Sequence, residues 1–399
     1  MPRDSVSVAL AIGAAPYQKT LTSSLLQAGM LRRLFVSNPN LEIQDPNEDG
    51  SLKEIKRFPL NREVNRVVWG AWRRLPRKLR PATPVMTTVL LTDQLWSRWI
   101  PRCDVFHGWM GQSLACLRVA KKQGTITLVE NAGRHPAHFH RASWQECERF
   151  NIPRKDWSPL LPNALIGRME REYEICDRIV VSSVVAHRSF AEFGYADKAV
   201  IVATGVDAEF FSPRPRSTSE PIFRVCFAGR VELAKGAGYL LQAWKRLGLA
   251  NAELVLAGEV RPEMRGLLQT DADSSVRTTG VLTAMELAEL YRDSDVFAFP
   301  SVNEGLAQVL LEAMASGLPV VASDLSGASD CVRDGKEGFI VPGRNVDRIA
   351  QAILWCYEHR GETRAMGEAA RAKIESQFTL EHYDRRMIAL YRGFAGAAA

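Results

Sequence analysis

Twelve short apolar runs recur along the chain, most of them rich in valine, isoleucine or phenylalanine, and longer stretches with helical spacing lie between many of them. Six stand in the first half: SVSVALAI (5–12), RLFVS (33–37), CDVFHG (103–108), TITLVE (125–130), RIVVSS (178–183) and AVIVAT (199–204). Six more follow: FRVCFAG (223–229), AELVLAG (252–258), VRTTG (276–280), DVFAFPS (295–301), PVVAS (319–323) and GFIVP (338–342). Gln112 to Gln123 and Leu165 to Cys176 are examples of the helical stretches between them. Such alternation predicts parallel sheets covered by helices. The series breaks at the Pro/Ser/Arg-rich PRPRSTSEP, residues 213–221. The expected fold is therefore α/β, with two doubly wound, Rossmann-like domains facing a cleft. The expected divisions are 1–212, a linker at 213–221, 222–376, and a C-terminal helix over 377–399 that packs back on the first domain. Ligands of open α/β sheets bind at the carboxyl ends of the strands, so the site is expected to face the cleft.

Composition narrows the class without naming a function. At 399 residues, with 46% hydrophobic and 24% charged residues, the chain is an ordinary soluble multidomain protein rather than a fibrous or low-complexity one. Its seven cysteines include no CxxC pair, which argues against a zinc ribbon and suits a reducing compartment. The run Gly305 to Ser323 is interrupted by Glu312, Gly317 and Pro319 and is no membrane span. The opening MPRDSVSVALAI reads as a first strand rather than a leader, and a cytoplasmic location is expected.

The net charge of +6 is local. Seven basic residues and one acid, Glu63, lie between Arg62 and Arg80, which equals the whole surplus. One patch on an otherwise neutral chain does not suit nucleic-acid binding. Within 61–80, Val64, Val67, Val68, Trp69, Trp72 and Leu75 recur at helical spacing among arginines, which suits a peripheral contact with an anionic membrane. A core-packed helix with a solvated basic face is the alternative.

Two stretches carry the chemistry. In DVFAFPSVNEGLAQVLLEAMASGLPVVAS (295–323) a strand, a loop and a helix follow one another, with Glu304 at the helix mouth and Glu312 eight positions on. The free amides and dipole of that helix end favour a phosphate. A nucleotide sugar fits the arrangement: Glu304 near the sugar, the diphosphate over the helix end at Gly305, Leu306 and Ala307, and Glu312 on ribose hydroxyls. In FAGRVELAKGAGYLLQAW (227–244), Gly229 and Arg230 follow a strand and Lys235 opens a helix. Arg230 can grip a phosphate bidentately and Lys235 adds a point charge, so no metal or cofactor is expected. Solvated loop cations are the alternative for that pair.

Together these stretches resemble the retaining glycosyltransferases of GT-B fold, of the group 1 or family 4 type. Arg230, Lys235, Glu304 and Glu312 match the family's Gly-Arg-x4-Lys-Gly and Glu-x7-Glu patterns, and ATGVDAEFFSP (203–213) and RDGKEGFIVPG (333–343) are similar to its flanking segments. The resemblance implies transfer of a sugar from a UDP- or GDP-sugar to a hydroxyl of a glycan or lipid-linked acceptor. It also implies donor contacts for Gly13, after the first strand, and roles near the reacting sugar for Glu304, His107 in DVFHGWMG and His135 in ENAGRHPAHFH. Buried structural histidines are the alternative for His107, and the trio His135, His138 and His140 reads as a polar cleft loop rather than a metal cluster. Departures from the pattern are Ala307 and Gln308 after Gly305-Leu306, Thr204 before Gly-Val-Asp, and Asp330 in place of a glutamate. Asp271-Ala272-Asp273 has the form of a metal-binding DxD but reads as a solvated turn. A nucleotide-sugar epimerase or a non-catalytic nucleotide-sugar-binding subunit remain as other readings.

Overall fold

The computed structural model describes residues 6–12, 17–36, 85–157, 161–214 and 222–397, with isolated positions between 67 and 74. Gly13, most of the 61–80 segment and the linker residues 215–221 therefore lie outside the described residues.

The apolar runs form twelve described strands in two parallel sheets. The first sheet holds β1 (Val8–Ile12), β2 (Leu31–Val36), β3 (Val105–Trp109), β4 (Ile126–Asn131), β5 (Arg178–Val181) and β6 (Ala199–Ile201), in the order β2-β1-β3-β4-β5-β6. The second holds β7 (Phe223–Ala228), β8 (Ala252–Ala257), β9 (Val276–Gly280), β10 (Val296–Phe299), β11 (Val320–Ser323) and β12 (Gly338–Val341), in the order β12-β11-β10-β7-β8-β9. Strand order reverses between β1 and β3 in the first sheet and between β7 and β10 in the second. At such a switch point neighbouring loops diverge to opposite faces and leave a crevice at the strand ends.

Central strands are covered on both faces, which is why they read as unbroken apolar runs. Phe227, Phe297 and Phe299 stack at 5.6 and 5.7 Å between ring centroids beneath the second crevice. Truncating such a ring to alanine costs about 3–5 kcal/mol, so this layer is a rigid floor.

The chain crosses between the domains twice. Val206 and Phe211 are already buried in the second domain's core, ahead of the expected boundary at 212. The return follows a bridge between Val206 and Thr379, after which the helix Leu380–Ala397 lies on the first domain. Tyr383, Met387 and Tyr391, spaced by four residues on one helical face, are fully buried there with Val8, Leu10, Leu21 and Leu25.

Candidate functional site

The two motif stretches leave adjacent strands at the second switch point. After β7 the chain passes Gly229 and Arg230, then makes a single turn at Leu233–Lys235. Gly236 follows at φ +78°, and a Cβ there would stand 2.1 Å from Pro300 O, so only glycine lets the turn lie against the end of β10. The helix Ala237–Leu247 starts from it. After β10 the chain runs irregularly from Pro300 to Ala307 before the helix Gln308–Ala315. The loop expected at Asn303-Glu304-Gly305 is committed to tertiary hydrogen bonds. Ser301 Oγ and Val302 N both donate to Ala234 O, at 3.1 and 3.0 Å, and tie this loop to the Lys235 turn.

The structure brings Lys235 and Glu304 into direct contact: the ammonium donates to Glu304 Oε2, with both side chains about 15% exposed. Phe299 lies below the ammonium, with its ring centroid 6.0 Å away. Burial pulls Lys235 down to about 8, against the opposing pull of Glu232. Arg230 is half exposed at the mouth and donates to Glu232 Oε1 at 3.1 Å. Leu306 and Ala307 are buried, and Ala307 caps the Gln308–Ala315 helix with no side-chain oxygen, so its first-turn amides receive no cap bond from it. Glu312 sits one turn into that helix, where burial raises its carboxyl to about 7 and the Tyr291 hydroxyl stands 3.5 Å away.

The N-terminal domain closes over this loop. Arg134, at 8% exposure, donates from Nε to Glu304 O at 3.0 Å and from Nη2 to Leu325 O at 2.6 Å. Ser183 Oγ donates to Gly305 O at 2.9 Å, and Asn303 Nδ2 donates to Phe139 O at 2.9 Å. Deeper in the seam Glu146 is fully buried and accepts from the Tyr239 hydroxyl and from Arg344 Nε at 2.7 Å. Asp330 accepts from Val184 N at 2.7 Å, at the start of the helix Val184–Ala191. Sequence reading did not find Arg134, Asn303, Ser183 or Glu146 as site residues, since their partners lie more than ninety positions away.

The histidines lie elsewhere. His107, on β3, is fully buried; its Nδ1 and the Tyr391 hydroxyl are hydrogen-bonded at 2.7 Å, and Glu130 Oε2 is 3.5 Å from Nε2. Burial pulls it down to about 3, which keeps the ring neutral beneath the C-terminal helix. His135 is also fully buried, stacked on Phe193 at 4.0 Å and edge-on to Phe190, so the polar-loop reading of this stretch gives way to an aromatic cluster at that position. His138 faces Arg134 and Glu192, and His140 lies against Trp144. Asp271, at the end of the helix Met264–Asp271, pairs with Lys245, while Asp273 accepts from Ser275 N two positions on. Among the described residues, no group of three or more His, Cys, Asp or Glu side chains gathers to hold a metal ion.

Residues 222–359, which contain Arg230, Lys235, Glu304 and Glu312, match the family described as "Glycosyl transferases group 1". The chain is 29% identical over 303 residues to the D-inositol 3-phosphate glycosyltransferase of Mycobacterium avium, covering 72% of this chain and 68% of the relative. It is 32% identical over 235 residues to a GDP-mannose-dependent alpha-(1-6)-phosphatidylinositol monomannoside mannosyltransferase of Mycobacterium tuberculosis, covering 53% of this chain and 60% of that one. With other relatives the match spans little more than half of their length. In fold, sucrose-phosphate synthase from Thermosynechococcus elongatus superposes with a TM-score of 0.70 at 18% identity, over 98% of this chain and all of the other. The Anabaena protein HepE, solved in complex with UDP-glucose, superposes with a TM-score of 0.64 at 15% identity, over 97% and 99% of the two chains. The two parallel sheets have the GT-B arrangement, and the segment that forms the crevice at the second switch point, residues 222–359, is the part of the chain that matches the group 1 glycosyltransferases.

Proposed function

We propose that this chain is a retaining, metal-independent glycosyltransferase that moves a sugar from a UDP- or GDP-sugar to a hydroxyl of a glycan or lipid-linked acceptor, in cell-surface polysaccharide or glycolipid synthesis. The contact between Lys235 and Glu304, beside Arg230 and the uncapped helix end, carries the reading. Arg230, Lys235 and the helix amides neutralise the departing diphosphate. Glu304 aligns sugar hydroxyls and Glu312 accepts from the ribose. A diphosphate oxygen takes the acceptor proton as the acceptor attacks the face the nucleotide leaves, so the anomeric configuration is kept. Closure of the domains excludes water and suppresses donor hydrolysis. One relative is named for its dependence on GDP-mannose, and one structural neighbour was solved with UDP-glucose, which supports testing both nucleotides.

The test is a screen of UDP-, GDP- and ADP-sugars against oligosaccharide and lipid acceptors, with and without EDTA, read as acceptor-dependent nucleotide release and by NMR of the product anomer. Release without any acceptor points to an epimerase or hydrolase, and donor binding without release points to a binding subunit. Loss of turnover in EDTA, restored by manganese, overturns metal independence. Residues 61–80 are proposed to hold the enzyme peripherally at the cytoplasmic face of a membrane; no described helix is long and apolar enough to cross one. Replacing Arg73, Arg74, Arg77 and Lys78 by glutamine should then reduce sedimentation with anionic liposomes at low salt. Wild type that ignores such liposomes overturns the membrane contact.

A further inference from the structure

Glu304 is held by both domains at once. Its carboxylate faces Lys235 of its own domain, while its main-chain carbonyl accepts from Arg134 of the other. Within its own domain the main chain of the loop that presents it is tied at the start, where Ser301 and Val302 reach Ala234 O. The next anchors come from across the seam: Asn303 donates to Phe139 O, Glu304 O accepts from Arg134, and Gly305 O accepts from Ser183. Separation of the domains removes all three together.

Arg134 is an unusual choice for a mere filler of that seam. It is nearly buried, and among the described residues its guanidinium hydrogen bonds go to two carbonyl oxygens and to His138 Nε2 at 2.9 Å, none to a carboxylate. A buried cation without a contacting counter-ion carries a desolvation cost that a neutral side chain avoids. What the guanidinium supplies is its planar fork, which spans Glu304 O and Leu325 O in one fixed geometry; an ammonium is a single point donor. His138 fixes the plane of the fork and is held in turn by Glu192 at 3.0 Å.

We propose that Arg134 is a positioning residue: supplied by the N-terminal domain, it sets the Glu304 loop when the domains close, so that the sugar-aligning carboxylate reaches its working position only in the closed form. This rests on the glycosyltransferase reading above. Arg134→Gln should lower kcat roughly 10²-fold, the scale expected when a reacting group is misplaced by about an ångström, with donor KM and UDP or GDP affinity changed less than about threefold. Arg134→Lys, able to reach one carbonyl, should recover about tenfold of that loss. In the substrate-free protein, amide hydrogen exchange over residues 302–307 should be faster in Arg134→Gln than in wild type, while exchange of β10 is unchanged. A kcat within about twofold of wild type, or equal losses in kcat, donor affinity and thermal stability in both variants, overturns the proposal. Unchanged exchange in the loop overturns it as well. If wild type itself transfers no sugar, the enzymatic reading falls, whereas the exchange measurement still decides whether Arg134 orders the loop.

Discussion

Lys235 and Glu304, 69 positions apart in the chain, form an ion pair across the crevice between β7 and β10. The two groups expected to meet the diphosphate and the sugar are thus engaged with each other in the free protein. In the proposed reaction a bound diphosphate therefore shares the Lys235 ammonium with Glu304.

Removing one member therefore has unequal effects. In Glu304→Gln the ammonium is released from its partner, so UDP or GDP should bind with equal or greater affinity, while kcat falls roughly 10²-fold because the sugar loses its alignment. In Lys235→Ala a charge-assisted contact of about 1.5–3 kcal/mol is lost, and nucleotide affinity should drop roughly 10- to 100-fold. Calorimetric titration with the nucleotide and turnover assays on both variants check the pattern; equal losses in affinity in the two would refute it.

Glu312 gives a pH signature with a defined sign. Burial raises its carboxyl to about 7 from an ordinary 4.5, so the native protein holds this proton longer than the unfolded chain does. Across that window its contribution to stability declines as pH rises. Ribose hydroxyls donate best to the ionised form, so nucleotide affinity should increase between about pH 6 and pH 8 and then level off. Glu312→Gln should flatten both trends, as read by titrations and thermal melts over that range. An unaltered pH profile in the variant would place the ribose elsewhere.

These two predictions rest on residues that were legible from spacing and resemblance, because a strand end, a turn glycine and a helix start are local features. The strand at Val276–Gly280 has the bounds its sequence pattern suggested. What spacing could not supply was the seam. Arg134 meets carbonyls 170 and 191 positions away, and such partners leave no periodic trace. The cover over His107 is illegible for a related reason. A histidine at a strand end suits a cleft, but the C-terminal helix returns 284 positions later and covers it with Tyr391.

The closeness of the seam at Gly305 yields another expectation. A Cβ there would stand 2.4 Å from Ala132 O and 2.7 Å from Ser182 Oγ, both in the opposite domain. The first of these is backbone and cannot rotate away, so Gly305→Ala should hold the domains apart rather than merely crowd a side chain. Turnover should fall at least about tenfold. Small-angle scattering should report a larger radius of gyration than wild type; an unchanged radius with full activity would show that the seam yields without opening.

His135 separates a role at the reacting sugar from a role in packing. Its ring is stacked on Phe193, 4.0 Å between centroids, and neither ring nitrogen has a hydrogen-bond partner among the described residues. Burial pulls its proton affinity down to about 4, below the ordinary 6.5, so the unfolded chain binds more protons between those values. Stability tied to this group is therefore present above about pH 6.5 and is lost as pH falls through the window toward 4. His135→Phe keeps the ring, removes two unpaired buried polar atoms and abolishes the titration. It should raise stability by about 1 kcal/mol at neutral pH and by more near pH 5, where His135→Ala should instead leave a cavity and lose stability. The same variant decides the functional question, because a phenylalanine can pack but can neither donate nor accept. Turnover within about threefold of wild type, with the higher melting temperature, assigns His135 to the aromatic cluster. A loss of roughly 10²-fold in a fully folded His135→Phe enzyme would instead mean that the ring turns out of this cluster to reach the substrate.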